Sequence, residues 1–437
     1  MTGRRRFRMT SHRPRTRPAR ASVLSAGALV ACAALAAGCG VIPGTGGSAD
    51  DTIKVMTWAP QGTDAADMDG MPAMAEAYAR WLNAGGSLGD RKLKILTCND
   101  GNDGVGAAKC ARRAVDEHVV AVVGSYSEFG DSYFAPLESA GIPYIGGYGV
   151  TTEEFTSALS YPVNGGQASL LAGLGKALAG NCGPVALIRP DSIAGDQLPA
   201  LLNSGLGAGG HAKARDQLAP EDVSEYSVQA DQALREATSE APAEGCVVPA
   251  LGGSTATFMD SFRRTRENYP RVHTATVLGS VDQSVINASG GASGPYEGSY
   301  ITGWYPVSTD KRWAPMKEVV DKNAFGDNRI DAADAGAQTT WIAYTVLRAV
   351  LQKIGGGEVS ADSVRATLDS GIKIATGGLT PTLSWPVRGQ GKLAAVGLPR
   401  LVNADVTLQT VRGGQLMAAR GGGLTDVTHT LQNADLG

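Results

Sequence analysis

From Thr52 onward, short apolar runs alternate with longer stretches whose apolar residues recur at helical spacing. Ile53-Lys54-Val55-Met56 reads as a strand, and Met71, Met74, Ala75, Tyr78 and Leu82 then share one helical face. The pattern predicts a strand over Lys92–Leu96, a helix over Ala107–His118 and a buried strand over Val119–Val123 that ends at Gly124. Another helix and the strand Pro143-Tyr144-Ile145 follow. A second series opens near Gly165, with helices predicted over Gln167–Leu178, Leu198–Leu206, Ser227–Glu240 and Thr255–Glu267. Its strands are Pro184–Ile188, Val247–Leu251 and Thr276–Leu278. Gly298–Tyr305 reads as a crossing strand, Ala332–Ile354 as a long helix returning to the first series, and Thr380–Ala419 as strand and turn.

Repeated strand–helix units of this length imply parallel, doubly wound sheets, which bind ligands at the carboxyl ends of their strands. The expected fold is therefore α/β, with two such lobes joined by a hinge. The expected organisation is a leader (1–38), a flexible tether (39–51), the first part of lobe 1 (52–164) and the first part of lobe 2 (165–297). A return to lobe 1 (298–370) precedes a hinge and C-terminal strands, mainly of lobe 2 (371–437). A length of 437 residues with 43% hydrophobic and 19% charged composition fits a globular protein of two or three domains. The 58 glycines follow no Gly-X-Y period, which excludes collagen and points to many tight turns.

The net charge of −3 hides an asymmetry. Residues 1–38 hold eight arginines and no acid, which leaves 31 of the 39 basic residues against all 42 acids beyond them, a net of −11. So acidic a chain is a poor partner for nucleic acid. The apolar run Ser22–Ala37 is too short for a comfortable membrane span and ends in Leu35-Ala36-Ala37-Gly38-Cys39. This resembles a bacterial lipoprotein signal, in which the cysteine, here Cys39, takes the lipid. Ordinary secretion with an unmodified Cys39 is the alternative. Arg4-Arg5-Arg6-Phe7 resembles the core of a twin-arginine export signal, with Gly3 in place of the usual hydroxyl residue.

Export leaves Cys98, Cys110, Cys182 and Cys246, an even number that suggests two disulfides with three possible pairings. Metal ligation is the rival, but no CxxC pair occurs. Cys98 ends a strand-like run and Cys110 lies in the next helix. Cys182 and Cys246 each precede an apolar strand that a parallel sheet would align. The expected pairs are Cys98–Cys110 and Cys182–Cys246.

No catalytic constellation is visible. His118, His211, His273 and His429 lie in no HExxH or GxSxG context, and Gly173-Leu174-Gly175-Lys176 continues with alanine rather than Ser or Thr. Gly205–Gly210 matches GxGxxG but follows a helix, the reverse of the dinucleotide context. The strand ends carry more. Gly124-Ser125-Tyr126-Ser127 and Gly146-Gly147-Tyr148-Gly149-Val150-Thr151 follow strands of the first series. Gly252-Gly253-Ser254-Thr255 and Gly279-Ser280-Val281-Asp282 follow strands of the second. Hydroxyls and free N–H groups at a helix start suit an anion, although each is also what an ordinary N-cap supplies. Four such ends in two lobes point to a cleft.

Asn83-Ala84-Gly85-Gly86-Ser87-Leu88-Gly89-Asp90-Arg91-Lys92-Leu93 resembles a stretch of the leucine/isoleucine/valine-type periplasmic binding proteins, as do Asn99-Asp100, Ala107-Ala108, Val119–Gly124 and Gly141-Ile142-Pro143. The resemblance implies a type I periplasmic-binding fold and a receptor that hands a small polar ligand, an amino acid or relative, to the permease and ATPase of an ABC importer. It also implies a monomer held by lipid at the outer face of the cell membrane, with no cofactor and no catalysis. It places carboxylate recognition near Ser125–Ser127 and at Gly149 and Thr151, and ammonium recognition near Asp282. Gly253 and Ser254 belong to the same set of strand ends, and Trp58, Tyr126 and Tyr148 are further pocket candidates. A tyrosine expected within Asp191–Gly195 is replaced by Ala194. The early disulfide of that family resembles Cys98–Cys110. A ligand sensor coupled to a membrane kinase and an extracellular amide-processing enzyme are the alternative functions.

Overall fold

The first two apolar runs pair along their whole length. In the computed structural model, which describes residues 52–63, 66–192, 195–220, 223–240, 244–386, 397–421 and 423–434, β1 (Thr52–Trp58) lies parallel to β2 (Lys92–Cys98). Helix α1 (Gly70–Ala84) connects them. Next come α2 (Gly104–Asp116), β3 (Val122–Val123), α3 (Gly130–Ala140), β4 (Tyr144–Ile145), the short α4 (Glu153–Thr156) and β5 (Ser160–Tyr161). The sheet runs β2-β1-β3-β4-β5, with every pair parallel. The predicted strand Val119–Val123 is longer than β3, yet its first half still pairs with β1. Val120 N donates to Lys54 O at 2.9 Å, and Met56 N donates to Ala121 O at 3.1 Å.

The second series is α5 (Gly166–Ala179), β6 (Val185–Pro190), α6 (Leu198–Ala208), β7 (Arg215–Ala219), α7 (Ser227–Ala237) and β8 (Cys246–Pro249). It continues through α8 (Thr255–Thr265), β9 (His273–Val277), α9 (Gln283–Ala288) and β10 (Tyr300–Gly303). Helices α10 (Ala314–Asn323), α11 (Ala335–Ile354) and α12 (Ala361–Asp369) follow, and α1 packs against both α10 and α11. The chain ends in β11 (Asp405–Arg412), β12 (Gln415–Ala418), β13 (Leu424–Asp426) and α13 (Thr428–Gln432). The second sheet runs β12-β11-β10-β9-β8-β6-β7, with β13 also on β11. Its β6–β10 pairs are parallel, and β11 joins antiparallel to β10. Strand β10 therefore belongs to the second lobe, and the return to the first begins beyond Gly303 rather than at 298.

Both expected disulfides are present. Cys98–Cys110 ties the carboxyl end of β2 to α2, and Cys182–Cys246 ties the approach to β6 to the start of β8. Helix α11 is buried nearly all round from Ala335 to Tyr344, the signature of a helix that crosses a core. Two glycines let it come so close. A Cβ on Gly124 would stand 2.9 Å from Thr340 Cα, and one on Gly146 would stand 2.4 Å from Ala343 Cβ.

Three segments connect the lobes, and buried amides bind them together. Asn164 Nδ2 donates to Tyr148 O and to Tyr305 Oη, each at 3.2 Å. Asn403 Nδ2 donates to Val163 O at 2.9 Å, and Thr407 Oγ1 donates to Tyr305 O at 2.8 Å. Asn164, Tyr305 and Asn403 belong to different crossings, so each crossing is fixed by its neighbours. The leader, Cys39 and the tether lie outside the described residues, as does Ala194.

Candidate ligand-binding cleft

The first sheet changes direction of growth between β1 and β3, where an open parallel sheet leaves a crevice. Trp58 ends β1 there, and Ser125 follows β3. Trp58 N donates to Ser125 Oγ at 3.1 Å, and Tyr126 N donates to Trp58 O at 3.0 Å. The Trp58 indole is fully buried against Tyr133 and Tyr144, at 5.4 and 5.9 Å between ring centroids, within the cluster formed by α2 and α3. It packs in the first-lobe core rather than on the cleft wall. Ser125 is buried too, and its carbonyl accepts from Tyr148 N at 3.0 Å and Tyr144 Oη at 3.2 Å. Ser127, also buried, lies beside Asp100, and its Oγ accepts from Phe129 N at 3.4 Å.

The loop after β4 carries the next two candidates, and their donors are already taken. Gly149 N donates to Glu154 Oε2 at 2.9 Å, while Val150 N and Thr151 N donate to Glu154 Oε1 at 3.0 and 3.2 Å. Thr151 Oγ1 lies 3.4 Å from the same oxygen, and Tyr133 Oη is 3.3 Å from Thr151 Oγ1. Glu154 is 2% exposed. Burial pushes its carboxyl up to about 7, and the backbone N–H groups hold the shift down.

The two lobes meet at Tyr148. Its phenol oxygen would stand 2.7 Å from a Cβ on Gly279, which ends the strand region of β9 in the second lobe. Its ring packs edge-on against Tyr126 and Trp304, each at 5.1 Å between centroids. Tyr126 Oη donates to Glu128 Oε1 at 2.8 Å. Tyr126, Tyr148, Leu278, Trp304 and Tyr305 belong to one buried cluster that joins the lobes. Burial pushes the Tyr148 phenol well above its usual range, and the charges of Asp334 and Asp282 push the same way.

Asp282 is half-buried and caps α9. Its Oδ1 accepts from Val285 N at 2.8 Å and from Ser284 Oγ at 2.7 Å. Asp334 caps α11, with Oδ1 accepting from Ala337 N at 2.7 Å. Burial raises the Asp334 carboxyl to about 6, and the nearby Asp282 charge adds to the rise. The charges of two carboxylates on opposite lobes thus reach Tyr148. Gly253 and Ser254 occupy a turn after β8, the first exposed and the second half-buried. A surface groove lies between α8 and α9, with a volume near 630 Å³ and a lining that includes Met259, Arg263, Val285 and Tyr296. Pattern reading missed Glu154, Asp334 and Trp304. The Thr151-Thr152-Glu153-Glu154 run carries a signal for the first, since acids soon after a glycine-rich strand end can turn back onto its N–H groups.

Comparisons with known proteins agree with this architecture. Among curated protein sequences, none matches the chain. A substrate-binding periplasmic protein from Ralstonia solanacearum shares the fold at TM-score 0.65 and 15% identity, over 84% of this chain and 100% of that one. An extracellular ligand-binding receptor from Verminephrobacter eiseniae gives TM-score 0.68 at 16% identity, covering 84% of this chain and 99% of that one. A branched chain amino acid ABC transporter protein from Thermus thermophilus, with bound valine, gives TM-score 0.66 at 13% identity over 88% and 99% of the two chains. At these identities the likeness establishes the fold. The periplasmic binding protein model, however, matches residues 53–392, through both lobes and all but the last strands, so the chain belongs to the periplasmic binding protein family.

Proposed function

We propose that this chain is a lipid-anchored receptor at the outer face of the cell membrane, which captures a small polar solute between its lobes for an ABC importer. One observation carries the reading. Strand ends of both sheets converge on Tyr148, where an aromatic cluster forms within electrostatic reach of two carboxylates of opposite lobes, Asp282 and Asp334. Such a junction buries a solute when the lobes close and releases it when they part. The Leu35–Cys39 pattern supplies the anchor through a lipid on Cys39, and the permease and ATPase of the importer are the partners. The solute is an amino acid relative or another amine, because a cation would answer the two acids. The chain acts as a monomer and binds without catalysing.

A thermal-shift screen of the mature chain carrying Cys39→Ser tests this. Amines, amino acids, amides and sugars serve as probes. A binder at 100 times its Kd raises stability by about 2.7 kcal/mol. Absence of any stabilising solute, or turnover of one that binds, would count against the receptor reading.

A further inference from the structure

The strand-end loop that the family resemblance assigns to a ligand carboxylate already contains one. Three consecutive backbone N–H groups, of Gly149, Val150 and Thr151, converge on the carboxylate of Glu154 at 2.9–3.2 Å. Successive N–H groups aimed at one point form a concavity suited to an anion. The fit leaves no spare room, since a Cβ on Gly147 would stand 1.8 Å from Glu154 Oε2. Ser125, another candidate of this wall, is buried, and its hydroxyl oxygen accepts from Trp58 N.

We infer that Glu154 is the receptor's resident substitute for a ligand carboxylate: it fills the Gly149–Thr151 nest and makes the first-lobe wall reject solutes that would place a carboxylate there. The inference rests on the receptor reading above and narrows its solute class. A carboxylate entering the cleft would find the backbone donors spent and a second anion beside them. It would lose its water without regaining hydrogen bonds, an unfavourable exchange in a buried site. Recognition then falls on the acids Asp282 and Asp334 and on the aromatic faces of Tyr126, Tyr148 and Trp304, which suit an amine without an attached carboxylate. Valine, bound by the Thermus neighbour, and benzoate, bound by a Rhodopseudomonas palustris neighbour, both carry the group that this wall has filled from within.

Two arms test the assignment without knowledge of the natural solute. In the first, the Cys39→Ser chain is titrated with valine, benzoate and formate, beside isobutylamine and benzylamine. The carboxylates are expected to bind at least about tenfold more weakly than the amines, a difference of about 1.4 kcal/mol, or not at all. Tight binding of valine or benzoate would overturn the inference. In the second arm, Glu154→Ala vacates the nest. Formate and acetate, but not chloride or acetamide, are expected to raise the melting temperature of the variant by about 2 °C or more while leaving the parent unmoved. A folded Glu154→Ala protein indifferent to carboxylates would also overturn it. Should that variant fail to fold, the first arm still decides. If formate enters the variant while no solute ever binds the parent, the receptor reading fails and the nest assignment stands.

Discussion

The two walls of the cleft are built on the same strand–loop–helix plan but end in opposite conditions. In the first lobe, the N–H donors of the Gly149–Thr151 loop are answered from within by Glu154, and the Ser125 and Ser127 hydroxyl oxygens accept from Trp58 N and Phe129 N. In the second, Gly253 is exposed, and Asp282 spends one oxygen on its helix and stays partly open. The difference teaches that a glycine- and hydroxyl-rich strand end does not by itself mark a ligand contact. What matters is whether a neighbouring side chain reaches its donors first. The first wall has its loop donors closed off by Glu154, and the second keeps Asp282 partly open.

The sharpest way to break this contrast is Glu154→Leu, which takes the partner from the N–H groups of Gly149, Val150 and Thr151, the first and last of them in buried residues. Stability measured by urea unfolding is expected to fall by about 3–5 kcal/mol. A loss near 1 kcal/mol would mean that water reaches the nest and that the first wall is as open as the second. The disulfides probe the lobes next. Cys182 and Cys246 are 64 residues apart in sequence, Cys98 and Cys110 only 12. Replacing each pair with alanine should cost about 4 and about 3 kcal/mol in the chain-entropy model, the larger loss falling in the second lobe.

A pH titration follows. Glu154 is raised to about 7 and Asp334 to about 6, so the folded state holds protons that the unfolded chain gives up nearer its ordinary carboxyl values. The unfavourable ionisation is absent below those ordinary values and complete above the raised ones. These groups therefore make stability fall between about pH 4 and 7, with the loss complete above that range. Glu154→Gln should flatten the upper part of the slope in denaturation curves taken across the range. An unchanged slope would assign it to other groups. The smallest effect belongs to Asp282→Ala, which removes a helix cap for ~1 kcal/mol of stability. If Asp282 also meets an amine, calorimetric titration should show binding of that amine weakened about tenfold. A melting shift without an affinity change would leave Asp282 as a cap alone.

The fold was largely legible in the sequence because buried parallel strands and amphipathic helices leave strong periodic signals. The elements missed have weak ones. Strand β7, Arg215-Asp216-Gln217-Leu218-Ala219, is an edge strand with three exposed residues in its polar stretch, so no apolar run marks it. Strand β5 has only two residues, Ser160 and Tyr161, and exists because β4 offers it a partner. Both disulfides were legible: Cys98 and Cys110 are close in sequence across a strand and the next helix, and the parallel alignment of β6 with β8 brings Cys182 near Cys246. The site was less so. Tyr148 and the strand-end glycines stand out by spacing, but the identity of their partners does not. Glu154 reaches back across a turn, and Asp334 arrives from a helix nearly two hundred residues downstream. Trp58 looks like a pocket residue by its place at the end of β1, but the alternation of faces turns it toward α2 and α3.

At Gly279 the missing side chain has a mechanical meaning. A single added carbon would stand 2.7 Å from the Tyr148 oxygen, so the two halves of the molecule would meet early and stop ajar. In the receptor proposed above, a side chain at that point would hold the lobes apart before any solute arrives. How well a solute is enclosed would thus depend on one hydrogen atom opposite a phenol.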